Sequence, residues 1–196
     1  MLGLGLSIPE VALRQYGNVA PANAWNPSDK SPGITLSNSD LTALHATGTT
    51  EGVRGIVALT GKKCWALNVD NASAWRSGIA TAAHDLNATN LGAGTANVII
   101  TSGGVVNYNS GTLAAYASYT TGDDVLIAFD ADAGDIWFGK GVTWNGNPGA
   151  GTGAVKSDVA AGPWLPVFGT TGVGPSGQVT LIPFPAAVPS GFTALS

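Results

Sequence analysis

Charge is scarce in this sequence. Asp, Glu, Lys and Arg make up only 10% of its 196 residues, against roughly a quarter in an average soluble domain. That shortage excludes a charge-rich disordered chain and a coiled coil. Basic side chains number eight, Arg14, Lys30, Arg54, Lys62, Lys63, Arg76, Lys140 and Lys156, and only Lys62 and Lys63 are adjacent. No basic stripe exists to neutralise a run of phosphates, so nucleic-acid binding is excluded as a function class. The single cysteine, Cys64, rules out an internal disulfide and a multi-cysteine metal site, and reads as a small apolar filler. Long apolar runs are missing too. Mean hydropathy is +0.21, yet no stretch approaches the ~18 residues a bilayer-crossing helix needs, so no membrane insertion is expected. Met1 to Leu6 are apolar, but no Lys or Arg precedes them and Pro9 with Glu10 breaks the run, unlike a secretion signal.

Glycine, by contrast, is abundant at 28 residues, about twice ordinary usage. Together with Pro, Asn, Asp, Ser and Thr it punctuates the chain every eight to fifteen residues, and the stretches between the marks alternate with period two. In residues 64–70, Trp65, Leu67 and Val69 fall on one face, and Cys64, Ala66, Asn68 and Asp70 on the other. Residues 41–46, 53–59, 77–82, 97–101, 105–109 and 178–184 are further strand candidates. The apolar run 125–129 and residues 135–138 flank an Asp/Gly turn, which predicts a β-hairpin with Gly134 at positive φ. Many short strands and no long helix predict an all-β chain: a β-sandwich of two antiparallel sheets covering each other's apolar faces. Residues 1–24 read as an N-terminal arm and 25–196 as the sandwich; the loop 144–153 is expected to be long and polar.

The hairpin residues Tyr119, Thr120, Thr121, Gly122, Asp123, Asp124, Val125, Leu126, Ile127, Ala128, Phe129 and Asp130, with Gly134, Asp135, Ile136, Trp137, Phe138, Gly139 and Lys140, resemble the signature hairpin of SPRY (B30.2-like) domains. Trp25, Asn26 and Pro27, then Ile34, Thr35, Leu36 and Ser37, resemble that family's opening strand. Val53, Arg54 and Gly55, then Gly61, Lys62, Lys63, Cys64 and Trp65, resemble its next two landmarks. Leu165, Pro166 and Val167 sit where its late strand falls, and Pro189, Ser190, Gly191, Phe192, Thr193, Ala194 and Leu195 resemble its closing segment. The Gly- and Ala-rich pattern is similar to SPRY domains of tailed bacteriophages and prophages. Two departures stand out: Ala66 replaces an acidic residue common after the second landmark's aromatic, and Gly141 follows Lys140 directly where many members carry Asn-Gly. The resemblance implies a concanavalin A-like jelly roll, a binding or scaffolding role without catalysis, and ligands ranging from peptides to glycans.

A sugar-cleaving enzyme is the rival that a lectin-like sandwich raises, and it needs two carboxylates flanking the scissile bond. Glutamates are only two, Glu10 in the arm and Glu51 in a predicted loop, while Asp130 and Asp132 flank a hairpin turn, where Asp bonds its own backbone. His45 and His84 lack a Gly-x-Ser-x-Gly partner, so no serine triad is implied. Residues 172–177 match Gly-x-Gly-x-x-Gly, but a strand-like stretch follows where a dinucleotide site needs a helix. The reading is therefore no catalytic residue, no metal and no cofactor.

Of the six tryptophans, Trp65 and Trp137 fall inside predicted strands and read as core, while Trp25, Trp75, Trp144 and Trp164 fall at turn borders. An indole there either seals the sandwich edge or stands exposed as a platform for a ligand. Trp75 with Arg76, and Trp144 with Asn145, are the predicted ligand-binding pairs. In the arm, Leu2, Leu4, Leu6, Ile8, Val11 and Leu13 carry apolar surface that needs cover: either the arm folds back on its own sandwich, or it docks on a neighbouring subunit by adding a strand. The expected function is a phage-like virion structural protein of head, tail or fibre, made in the bacterial cytoplasm and partnered by other virion subunits and by itself as a homo-oligomer. Its outward ligand would be a host-surface glycan or protein. The alternative is an intracellular SPRY adaptor that binds a peptide partner.

Overall fold

The structure, a computed structural model, describes residues 23–45, 49–87, 91, 96–160, 162–171 and 177–195. In chain order the strands are β1 (Trp25–Lys30), β2 (Ile34–Ser37), β3 (Thr42–His45), β4 (Glu51–Gly55), β5 (Lys62–Asn71), β6 (Trp75–Thr81), β7 (Asn97–Thr101), β8 (Val105–Tyr108), β9 (Gly111–Ala115), β10 (Asp124–Asp130), β11 (Asp135–Lys140), β12 (Thr143–Trp144), β13 (Trp164–Thr170), β14 (Gln178–Ile182) and β15 (Thr193–Ala194). The only helical element among the described residues is the 3-10 turn Pro148–Ala150. One antiparallel sheet runs β1-β4-β13-β6-β7-β8-β9, and the other β12-β11-β10-β5-β14-β3-β2, with β15 alongside the start of β5. This is the all-β sandwich the periodicity implied. Strand bounds moved by a few residues, the largest shift being at β4, which starts at Glu51 and ends at Gly55.

The hairpin of β10 and β11 pairs Val125 with Lys140 through to Asp130 with Asp135. Gly134 takes φ +72, and a Cβ there would sit 2.6 Å from the Val159 nitrogen and oxygen, so glycine is demanded twice over. The Asp130 carboxylate accepts from the Asp132 and Ala133 amides, both at 3.2 Å, and from Lys62 at 2.9 Å. Burial by itself would raise this carboxyl, but those bonds outweigh it and hold it below the usual carboxylate range.

Between the sheets, Trp65, Leu67 and Val69 of β5 meet Trp25, Trp75, Phe129, Phe138 and Phe168 in one core. The opposite face of β5 is buried as well. Cys64 packs there with Ala128, Trp137 and Phe192, under the C-terminal segment, and burial pushes its thiol up to about 11 against the pull of Lys63. On the first sheet, Leu86 and Leu91 cover Ala80, Ile99 and Val167. Each sheet is thus apolar on both faces, which explains unbroken runs such as 125–129 where an open sandwich would alternate.

The cover on the first sheet is fastened by Arg54. Its Nε donates to the Thr81 carbonyl at 2.9 Å, Nη1 to Asp29 at 2.7 Å, and Nη2 to the carbonyls of Ala82 and His84. His84 is buried with Nδ1 placed 3.1 Å from the Asn97 amide nitrogen. Burial, then the Arg54 charge, hold this imidazole below its ordinary value, with Asp85 opposing. A histidine that titrates lower in the folded state leaves the unfolded chain to take up the proton first. Its contribution is therefore complete above the unfolded value of about 6.5 and declines as pH falls below it. Thermal unfolding followed by circular dichroism is expected to show a lower midpoint at pH 5 than at pH 7, and His84→Gln to reduce that difference.

Candidate functional site

The carboxylates that a glycosidase would need are dispersed. Glu51 is not in a loop, as the sequence implied, but buried at the start of β4, bonded to the Gly33 amide at 2.9 Å and paired with His45 at 3.2 Å. Its place in the register, opposite Thr170 of β13, explains the burial. Asp130 lies on the other sheet, committed to its turn. Among the described residues no cluster of three or more His, Cys, Asp or Glu side chains is poised for a metal.

The two predicted binding pairs part company. Trp75 cannot be a ligand platform: it is fully buried, its ring edge-on to Tyr119 at 5.5 Å. β6 begins two residues earlier than the pattern implied, so Trp75 shares the inward phase of Ile79. Arg76 faces the other way and donates to the Leu91 carbonyl at 2.6 Å, beneath the outer cover, with burial lowering its pKa. That pair is structural.

Trp144 and Asn145 are placed differently. β12 is a two-residue edge strand, and Trp144 pairs there with Gly139 of β11. A Cβ at position 139 would fall 3.2 Å from the indole and 2.6 Å from the Thr143 oxygen, so glycine lets the ring lie close to the strand. The other support is Phe184, stacked at 6.2 Å and 23°. Asn145 acts as a clamp: its Oδ1 accepts from the Phe138 amide at 2.6 Å and its Nδ2 donates to the Tyr116 hydroxyl at 3.1 Å. Beyond it, the loop predicted to be long and polar is drawn closed. Asn147 caps the 3-10 turn, Gly151 is left-handed, and the Thr152 carbonyl accepts from the Trp137 indole at 3.0 Å.

Trp144 consequently forms a ridge between two depressions. One, of about 360 Å³, lies between Tyr116, Tyr119, Phe138, Lys140 and Asn145. The other, more open and about 1000 Å³, runs between residues 142–150 and 185–190, with Pro148, Pro185 and Pro189 in its walls. Val142 and Val188, 71% and 44% exposed, stand at its rim. The first depression is rigidly walled: Tyr119 donates to the Gly139 carbonyl at 3.1 Å, and burial raises its phenol well above the ordinary value. Lys140 is tied to Asp123 at 2.6 Å and to the Ser118 carbonyl at 2.9 Å. Burial would raise the Asp123 carboxyl, but hydrogen bonds from Lys140 and Thr120 hold it low. Here lie an aromatic shelf, prolines and satisfied polar groups, and no activated nucleophile or acid–base pair. The sequence flagged Trp144 and Asn145 but not Tyr116, Phe184 or the prolines of 185–189. Only the fold brings those segments to one edge.

The architecture is a two-sheet antiparallel sandwich with an aromatic shelf on its rim. Solved structures define the fold more narrowly as that of SPRY domains. The SPRY domain of human HERC1 superposes with a TM-score of 0.68 at 18% identity, covering 81% of this chain and 96% of that one. The PSpry domain of TRIM65 gives 0.60 at 12% identity, over 83% and 90% of the two chains, and a human SPRY domain 0.56 at 14%, over 76% and 94%. No family model matches the sequence, and no curated protein does.

Proposed function

We propose that this chain is a non-catalytic, SPRY-type protein-interaction module whose Trp144 ridge receives an apolar segment of a protein partner. The observation that carries the reading is the partly buried indole, backed by Phe184 and Gly139 and flanked by two depressions. An aromatic anchor held rigid before binding loses little entropy on docking, which is why such residues dominate interface energetics. The proline- and alanine-rich wall at 185–189 offers apolar surface with few competing charges, a match for a hydrophobic peptide.

The setting we propose is the particle of a tailed phage, as a decoration or fibre component; its support is the composition, poor in charge and rich in Gly, which suits a permanently assembled protein. Sedimentation with particles tests that setting, and a soluble chain bound to a cytoplasmic peptide partner would favour the adaptor instead.

The site itself is tested by selecting a displayed peptide library against the full chain. Trp144→Ala is expected to weaken the selected peptides at least tenfold by titration calorimetry, about 1.4 kcal/mol or more, while leaving the circular dichroism spectrum unchanged. Undiminished affinity in the folded variant would contradict the assignment.

A further inference from the structure

Five of the six tryptophans have their indole N–H enclosed or bonded within the fold. Those of Trp25, Trp65 and Trp75 are sealed in the core, and those of Trp137 and Trp164 donate to the carbonyls of Thr152 and Ala160 at 3.0 and 2.9 Å. Trp144 differs: among the described residues its indole nitrogen has no acceptor, and solvent reaches it. Beside it, the Tyr116 hydroxyl accepts from Asn145 Nδ2 at 3.1 Å. The phenolic proton is left without an acceptor among the described residues. Tyr119, Lys140 and the Asn145 oxygen in the same wall are already committed, to the Gly139 carbonyl, to Asp123 with the Ser118 carbonyl, and to the Phe138 amide. The exposed Thr143 hydroxyl can donate or accept. The smaller depression therefore offers aromatic surface and a surplus of donors.

That polarity discriminates among ligands. A β-strand brings an N–H for nearly every carbonyl and needs a ladder to pair with, but β12 has only two residues, and beyond it the Asn145 and Asn147 amides are bonded to the Phe138 and Thr152 carbonyls. A helix satisfies its own carbonyls and would leave the two donors unmet. A proline-rich segment has the complementary balance. Proline carries no N–H, and the polyproline II helix makes no internal hydrogen bonds, so its carbonyls stand free as acceptors. Its residues i and i+3 share one face about 9 Å apart, so that one can enter the depression on each side of a single indole. Such a ligand also brings no charge, in keeping with walls whose Lys140 is already paired with Asp123.

We propose that the Trp144 ridge receives a proline-rich segment in the polyproline II conformation, with the Trp144 indole and the Tyr116 hydroxyl donating to its carbonyls. The inference rests on the ridge being the docking surface and names what docks there. Pyrrolidine rings pack against the aromatic wall of Tyr116, Tyr119, Phe138 and Trp144, as in other aromatic-lined grooves that read this conformation. Because the polyproline helix is already formed in the free peptide, little entropy is lost on docking.

The test titrates an acetylated, amidated oligoproline of about ten residues into the isotope-labelled full chain, beside a proline-free peptide of equal length that alternates threonine and valine. The Trp144 indole N–H resonance is expected to move downfield with oligoproline, which binds about tenfold or more tighter than the proline-free peptide. Trp144→Phe keeps an aromatic ring without a donor and is expected to weaken oligoproline about fivefold, the ratio that one lost hydrogen bond corresponds to. Tyr116→Phe is expected to act by a similar factor, both variants keeping the wild-type circular dichroism spectrum. Absence of oligoproline binding, or affinity unchanged in both folded variants, overturns the proposal. A proline-free peptide bound at the ridge as tightly as oligoproline overturns it too, while leaving the ridge as the docking surface; so does a cello-oligosaccharide that moves the same resonances where oligoproline does not. Oligoproline bound with the Trp144 indole resonance unmoved overturns the proposal and the ridge reading together.

Discussion

Arg54→Met is expected to cost about 2–4 kcal/mol of stability, because it strips the donor from several buried or part-buried carbonyls, at about 1–3 kcal/mol for each one left unsatisfied. Arg54 is 3% exposed, and its guanidinium is the shared donor for the carbonyls of Thr81, Ala82 and His84 and for Asp29. A methionine of similar length fills much of the volume but leaves those acceptors without their donor, each at the expense of an unmet desolvation. Arg54→Lys is expected to recover little, because an ammonium cannot present the planar fork that reaches three carbonyls and a carboxylate at once. Denaturant unfolding measures the loss. Hydrogen exchange locates it, with protection falling first in residues 81–87, the stretch the guanidinium fastens to the sheet.

Gly78→Ala is the second large effect, expected at about 3 kcal/mol, the upper part of the range for overpacking. Gly78 lies in the middle of β6, paired with Val167 on one side and Ile99 on the other. A Cβ there would sit 2.0 Å from the Val98 oxygen and 3.1 Å from the Ile99 Cα. Both are backbone atoms of a hydrogen-bonded strand, so relief requires moving β7 rather than a side chain. At 2–4 °C per kcal/mol for a chain of this size, the melting midpoint should fall by roughly 6–12 °C. Gly103→Ala is the control: its Cβ would meet only the Thr101 hydroxyl at 3.8 Å, and a shift under about 0.5 kcal/mol is expected.

The alternation in β5 and the Asp/Gly turn at 134 carried the fold, because both are local: one sets apart the large side chains that face the other sheet, the other marks a backbone angle only glycine adopts freely. Trp75 was misplaced for an equally local reason. Its strand starts two residues before the apolar alternation becomes visible, and a turn-border tryptophan looks the same in sequence whether it points in or out. The outer covers were illegible because they join segments far apart in the chain, Leu86 and Leu91 over β6 and β13, and Phe192 over Cys64. Arg54 was seen only as one landmark of a resemblance; its partners are the carbonyls of another loop, and no spacing rule encodes them. Trp144 and Asn145 were found by residue type, whereas Tyr116 and Phe184, which make them a site, needed the sandwich to converge. The arm residues Leu2, Leu4, Leu6, Ile8, Val11 and Leu13 fall outside the described residues.

Amide chemical-shift mapping of a selected peptide on the isotope-labelled full chain addresses the binding surface most directly. Perturbations are expected to concentrate at residues 116–119, 138–147 and 184–190, the two sides of the Trp144 ridge. Perturbations concentrated instead around Asp29, Arg54 and His84, with the Trp144 amide and indole unmoved, would contradict the ridge as the docking surface.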